Sequence, residues 1–479
     1  MISLGNMAAA TIHDWVPEPG PVVSWQPSPE AVAKARQAPV SAVPASYMQA
    51  AHLQRYRDHA ARGLDLSRQL IGAWDIAGQC DIRVMTYVIN AHLRRHDTYR
   101  SWFEYQDEEH IVRRTIRDPA DIELVPTEHG EMTPVELRDH VLATPNPLQW
   151  GCFRFGLIQA TDHFTFYLNV DHLHVDPMFI GVVFVEIHMM YAALVGGGAP
   201  IRLPDTGSYD DYCIRQHRYT SALSLETPQV RAWVRFAENN GGPLPDFPLP
   251  LGDPSVPCAG DVMSVRLMDE RQTARYESAC IAAGARFSGG VFACAALVEH
   301  ELTGVETYYA VTPSDTRSDP TDFMTTGWFT GLVPITVPVA ATSFGDTVRA
   351  AQASFDAATE LANVPFDRVL ELAPWLKMPR RGFPMLTDYL DAGLPPLSYL
   401  VGSELDGLNA GLYHDGRVPN QLMKRVIRLA NETRLTVVFP KNPVARESVT
   451  RYIAAMKSVY ARVADGRGAV ASLRSVAEV

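Results

Sequence analysis

From Glu238 to Asp261 the chain reads ENNGGPLPDFPLPLGDPSVPCAGD, a run so dense in proline and glycine that no regular helix or strand can pass through it. It lies close to the middle of 479 residues, a length at which two domains of about 200 residues or more are the natural division. The expectation is an N-terminal lobe over 1–238, a crossing linker over 239–261 and a C-terminal lobe over 262–479.

Both flanks alternate strand-like and helix-like runs, which predicts an α/β (α+β) chain. In the N-terminal half, short β-type runs fall within Leu64 to Tyr87 and Glu104 to Ile116. Ile82 to Arg95 places Val84, Tyr87, Val88, Ala91 and Leu93 at helical spacing. Cys152 to Ile158 and His163 to Val170 read as paired strands around a turn at Thr161–Asp162. In the C-terminal half, helices are predicted over Glu270 to Ala283, ending at Gly284, and over Gly289 to Leu302, ending near Gly304. Strands are predicted at Thr307 to Thr312, Leu332 to Val339 and Arg434 to Phe439, and a terminal helix over Glu447 to Val463.

Hydrophobic residues make up 47% of the chain and charged ones 20%, the profile of a well-packed globular protein. A net charge of −12 repels phosphate backbones, so nucleic acid is not an expected partner. The six cysteines form no C-x-x-C pair, which argues against a zinc ribbon or disulfide scaffold and fits a reducing cytoplasm. Met1 to Trp15 lacks the pattern of a signal peptide. Phe179 to Val195 is the most apolar stretch, but Glu186 and His188 near its centre make it a core helix rather than a membrane span.

Reactive side chains are densest in Asp171-His172-Leu173-His174-Val175-Asp176-Pro177, directly after the strand His163 to Val170. Were the strand to continue, His172, His174 and Asp176 would share a face. Three readings compete: ordinary polar residues at a strand end; a zinc hydrolase site of His-x-His-x-Asp type, one histidine short of the usual signature; and general base catalysis by a histidine four residues ahead of an aspartate. There is no G-x-S-x-G elbow, Arg286 to Gly290 reads as a helix start, and Gly196-Gly197-Gly198 lacks the Lys-Ser/Thr of a phosphate loop.

His172-x-x-x-Asp176 resembles the H-H-x-x-x-D-G motif of condensation domains, and five further segments match that family in order. Val43 to Gln49 resembles the S-x-A-Q element, Arg95 to Phe103 the R-H-x-x-L-R-T-x-F element, and Tyr209 to Gln216 the Y-x-D-Y-A-x-W-Q element. Gly327 to Pro334 resembles G-x-F-V-N-x-x-P, and Asn363 to Val369 resembles H-x-x-x-P-F-E-x-L. Asp14-Trp15-x-Pro17-x-Pro19-Gly20, Ala91 to Tyr99 and Gly327 to Thr336 narrow this to a resemblance to the mycobacterial polyketide-associated protein acyltransferases, in their trehalose-acylating branch.

That resemblance, which covers nearly the whole chain, implies two pseudo-symmetric chloramphenicol acetyltransferase-like lobes with a tunnel between them. It implies an O-acyltransferase that moves a fatty or polyketide acyl group from coenzyme A, a carrier protein or a polyketide synthase to trehalose or an acylated trehalose. His172 is then the general base, and Asp176 pairs with Arg317 to hold the catalytic loop. Neither metal nor cofactor is implied. A monomer is expected, cytoplasmic and associated peripherally with lipid machinery at the inner face of the plasma membrane. Two residues depart from the motif: Asp171 stands for its first histidine and Pro177 for its glycine. Proline has no N–H for an oxyanion, so Thr330, a neighbouring amide, or the Gly327 and Trp328 positions become the oxyanion or tunnel candidates. Trp328, Phe329 and Trp375 are candidate aromatic surfaces for a sugar. The alternatives left open are a zinc metallohydrolase using His172, His174 and Asp176, and a silent module that only docks a carrier protein.

Overall fold

His163–Asp171 is buried along nearly its whole length on both faces, as the inner strand of a covered sheet must be. It occupies the middle of an eight-stranded mixed sheet ordered Ile2–Leu4, Met7–Thr11, Gly411–His414, Gln69–Ala77, His163–Asp171, Phe153–Gln159, Pro21–Pro27 and Leu124–Glu131. The computed structural model describes residues 2–4, 7–61, 63, 68–107, 110–242, 244–254, 256, 258, 260–376, 385–393, 408–415, 422–429 and 431–466. Residues 64–67, at the start of the first expected β-type run, lie outside them.

The chain divides into two compact units. The first comprises Met1–Tyr219, Arg317–Phe329 and Leu394–Arg417; the second comprises Thr220–Thr316, Thr330–Gly393 and Val418–Val479. The division therefore falls inside the helix Tyr209–Ser221 and not at residue 238, and two pieces of the C-terminal half fold into the first unit. The helix Pro228–Asn239, expected on the N-terminal side, buries Trp233 and Phe236 in a core of the second unit. The proline-rich run ends the helix and breaks regular structure but does not mark the border between cores.

In the first unit, Ile82–Arg95 is amphipathic and buries Met85, Val88, Ile89 and Leu93. Leu64 to Tyr87 resolves into the strand Gln69–Ala77 and the start of that helix, and Glu104 to Ile116 into the second half of a hairpin formed by Ser101–Tyr105 and Ile111–Thr115. The apolar run Phe179–Val195 is helical and largely buried, with a π-helical stretch at Phe184–Met189 in its middle. Among the described residues no single helix is long and apolar enough to cross a membrane.

The second unit is built on a six-stranded mixed sheet ordered Gly260–Asp269, Glu432–Pro440, Leu422–Arg428, Met385–Asp391, Thr307–Asp315 and Thr330–Pro338. Phe287–Thr303 is apolar all round and is buried from Phe287 to Glu299, as a helix without a polar face must be. It stops at Gly304, whose φ of 78° caps it in the left-handed region. The terminal helix Pro443–Ala464 packs beside it, and Lys424 is buried there between Glu299 (3.2 Å) and the Tyr452 hydroxyl (2.6 Å).

Candidate active site

The strand carrying the reactive cluster ends at Asp171, and the residues after it form a tight turn instead of continuing extended. Asp171 causes this. Its Oδ1 accepts the Leu173 amide at 2.9 Å, two residues on, while its carbonyl accepts the His174 amide at 3.1 Å. The expectation that His172, His174 and Asp176 share a strand face therefore does not apply, and the three side chains have separate surroundings.

His174 is fully committed. Nδ1 lies 3.0 Å from Thr98 Oγ1 and Nε2 lies 3.1 Å from Cys152 Sγ, and burial pushes its pKa down to about 4. Cys152 is itself buried and its thiol is pushed well up, so it is no nucleophile. Asp176 lies 2.8 Å through Oδ2 from Arg317 Nη1, with both side chains almost completely buried. The same oxygen accepts the Phe329 amide at 3.0 Å, and Oδ1 accepts the Met178 amide at 3.0 Å. A zinc hydrolase set would need these three side chains to converge on one point, and they do not.

His172 differs. It is partly exposed, its amide donates to the Arg68 carbonyl at 2.8 Å, and its ring packs on the Trp328 indole with centroids 4.0 Å apart. Trp328 and Phe329 are 2% and 0% exposed, so neither presents a face to a sugar; Trp375 is exposed, on the second unit. Gly327 is required by close approach, since a Cβ there would lie 2.3 Å from the Tyr209 ring and 2.8 Å from that of Phe329. Thr330 opens the edge strand Thr330–Pro338 of the second unit, opposite Asp315. The amides of His172, Leu173, His174, Met178 and Phe329 all have acceptors, which removes them as oxyanion donors.

Five of the six motif segments are joined by hydrogen bonds through residues of the first unit, the fifth by its Gly327–Phe329 part. Ser46 and Gln49 form a capping box at the start of the helix Tyr47–Ala60, and Gln49 Nε2 donates to the Leu173 carbonyl at 3.0 Å. Asp97 accepts the amide of Tyr209 at 2.9 Å and so begins the helix Tyr209–Ser221. The Tyr209 hydroxyl donates to the Trp328 carbonyl at 3.2 Å and lies 3.0 Å from Ser46 Oγ, which has its own proton to give. Arg317 holds its own segment in shape through Nε to the Asp322 carbonyl and Nη2 to the Thr325 carbonyl, and its guanidinium lies 4.4 Å over the Phe329 ring. The sixth segment, Asn363 to Val369, lies in the second unit, where Phe366 is core.

Sequence reasoning missed a second buried network. Glu186 Oε2 accepts from His92 Nδ1 at 2.8 Å and His96 Nε2 at 2.9 Å, while Arg95 lies 2.9 Å from Oε1. Burial alone would raise its pKa, but His96 and His92 hold the carboxyl well below the usual range. The readable signal was Glu186 itself, because a carboxylate in an apolar run must have partners. The ligand atoms of His92, His96 and Glu186 lie within 4.8 Å of one another. However, His96 Nδ1 accepts the Thr326 amide at 3.2 Å, so its proton sits on Nε2. A metal at Nε2 would drive that proton onto Nδ1, against the Thr326 N–H. The cluster is a structural network that anchors Thr326 beside Gly327 and Trp328.

Comparison with known proteins places this geometry. The condensation domain family model matches residues 72–378. Acyltransferase PapA3 of Mycobacterium tuberculosis is 58% identical, over 97% of this chain and 98% of its own length. Trehalose-2-sulfate acyltransferase PapA2 of Mycobacterium bovis is 60% identical, over 96% of this chain and 98% of its own length. A solved PapA2 acyl transferase structure superposes with a TM-score of 0.92 at 59% identity, covering 96% of this chain and all of that one. The first condensation domain of the CDA synthetase, at 16% identity and a TM-score of 0.65 over 90% of this chain and 98% of that one, shares the fold.

Proposed function

The chain belongs to the condensation-domain family, among the Pap acyltransferases, and on that footing we propose that it moves an acyl group from a thioester to a hydroxyl of a trehalose derivative, with His172 as general base. The observation that carries the assignment of the base is the contrast within one turn. His174 and Asp176 are buried in fixed pairings, whereas His172 is partly exposed and held against Trp328. Its imidazole takes the proton of the attacking hydroxyl as the oxygen adds to the thioester carbonyl, and the thiolate then leaves. Asp176 is not the orienter of the base in this scheme. Its carboxylate ties the turn to the Arg317–Phe329 segment.

The acceptor class follows from the relatives named for trehalose-2-sulfate, and the donor is a coenzyme A or carrier-protein thioester. Mass spectrometry of products formed from palmitoyl-CoA with trehalose, trehalose-2-sulfate or a mono-acylated trehalose tests this reading; a glycolipid product that is absent with His172→Ala supports it, and no product from any of the three counts against it. Transfer is direct in this scheme, because among the described residues no activated nucleophile accompanies the histidine. Intact protein incubated with palmitoyl-CoA alone should therefore show no added acyl mass. A stoichiometric increase that a sugar acceptor discharges would overturn direct transfer.

A further inference from the structure

Asp171 takes the place of the first histidine of the family motif, and the structure gives it a histidine partner from elsewhere. His52 lies on the helix Tyr47–Ala60, one turn beyond Gln49. Its Nε2–H donates to Asp171 Oδ1 at 2.8 Å, and the two side chains are 2% and 0% exposed. That oxygen is the one that accepts the Leu173 amide and sets the turn. The His52 ring also meets the Trp328 indole edge to face, with centroids 5.6 Å apart, and the same indole packs on the His172 ring. His52 thus holds His172 by two routes, through the Asp171 carboxylate to its backbone and through Trp328 to its ring. With Gln49 on the Leu173 carbonyl and the Arg68 carbonyl on the His172 amide, the turn is fastened on both sides of the base.

We infer that His52 and Asp171 are positioning residues for the general base: the hydrogen bond from His52 to Asp171 fixes the turn that aims the His172 imidazole. The inference rests on the proposed role of His172, but the orientation of the ring can be read without turnover. A buried carboxylate that accepts two donors is rigid, and aim matters because a displacement of about 1 Å can cost roughly 10²-fold in rate. Phenylalanine at position 52 keeps a ring edge for Trp328 and removes the donor, whereas glutamine puts an amide N–H close to where Nε2 stands.

The test is the rate at which diethyl pyrocarbonate modifies His172 in the full chain, read by peptide mass spectrometry and normalised to the exposed His110. His52→Phe should raise the normalised His172 rate about threefold or more, and His52→Gln should return it to within about 1.5-fold of the parent. With palmitoyl-CoA and trehalose-2-sulfate, His52→Phe should lower kcat by about 10–100-fold with KM for both substrates within about twofold, and His52→Gln should recover most of that loss. Should His52→Phe fail to fold, Asp171→Ala takes its place, and Asp171→Asn, which keeps an accepting oxygen, takes the place of the glutamine variant. A His172 rate unchanged in His52→Phe, or equal changes in the phenylalanine and glutamine variants, overturns the inference. Altered His172 reactivity in a parent enzyme that turns over no acyl donor would support the positioning role and count instead against the proposed function.

Discussion

Two histidines, two residues apart, have opposite surroundings. His174 is closed in by Thr98 and Cys152 and stays neutral until about pH 4, so it is a poor proton acceptor for neutral-pH chemistry. His172→Ala should lower acyl transfer by roughly 10²–10⁴-fold, while His174→Ala should cost less than about tenfold in kcat; initial rates at saturating substrate decide, and equal or reversed losses would mean that the base is misassigned. The spacing from His172 to Asp176 was legible in the sequence because it is a local pattern. That their side chains leave a common strand face was not read, because period-two reasoning took the strand to run on. The signal against it was Asp171, a residue whose side chain readily accepts an amide two positions later and so stops a strand. His52 gave no comparable signal, since nothing in its own neighbourhood points to a carboxylate 119 residues away.

Among the elements, the segment Arg317–Phe329 decides most. It brings Arg317 to Asp176, Thr326 to His96, and Trp328 to His172. Removing one partner of a buried ion pair strands the other charge, so Asp176→Ala should destabilise the fold by about 3–5 kcal/mol, seen as a fall in the urea midpoint, with activity falling in parallel. Asp176→Asn keeps the side chain's shape and one accepting oxygen for these donors and should cost less. An Asp176→Asn protein with unchanged stability and no activity would give the residue a direct catalytic role. The helices were largely legible: Glu270–Ala282, Phe287–Thr303 and Pro443–Ala464 lie within a few residues of the expected ranges, because periodicity and glycine stops are local. The π-helical stretch that aims Glu186 at His92 and His96 was not, since it answers to a tertiary ion network and leaves no mark in the periodicity.

For the whole molecule, burial of neutral histidines makes stability depend on pH. His174 and His188 are both pushed down to about 4, chiefly by burial, and His92 is lowered for the same first reason. In the unfolded chain they take up protons below about pH 6.5, while in the folded state His174 and His188 do not until about pH 4 and His92 does so only below its ordinary range. Between those limits the unfolded state binds more protons, so stability is complete above about pH 6.5 and falls as the pH drops, by at most about 1.4 kcal/mol per pH unit for each histidine. Glu186, held below its ordinary range, adds its own loss only under about pH 4.5. Melting temperature should therefore fall steadily from pH 7 to pH 5, and a flat profile would mean that these histidines do not stay neutral in the folded state. That there are two cores was legible from length, but their border and their exchange of segments were not, because sheet partners hundreds of residues apart leave no local trace. That exchange constrains how the protein is made. Gly411–His414 lies between Met7–Thr11 and Gln69–Ala77, so the first sheet lacks an inner strand until residue 414 has left the ribosome. At about 5–20 residues per second, the earlier strands wait many seconds for their neighbour, and the nascent chain must stay soluble with an unfilled sheet until that strand has emerged.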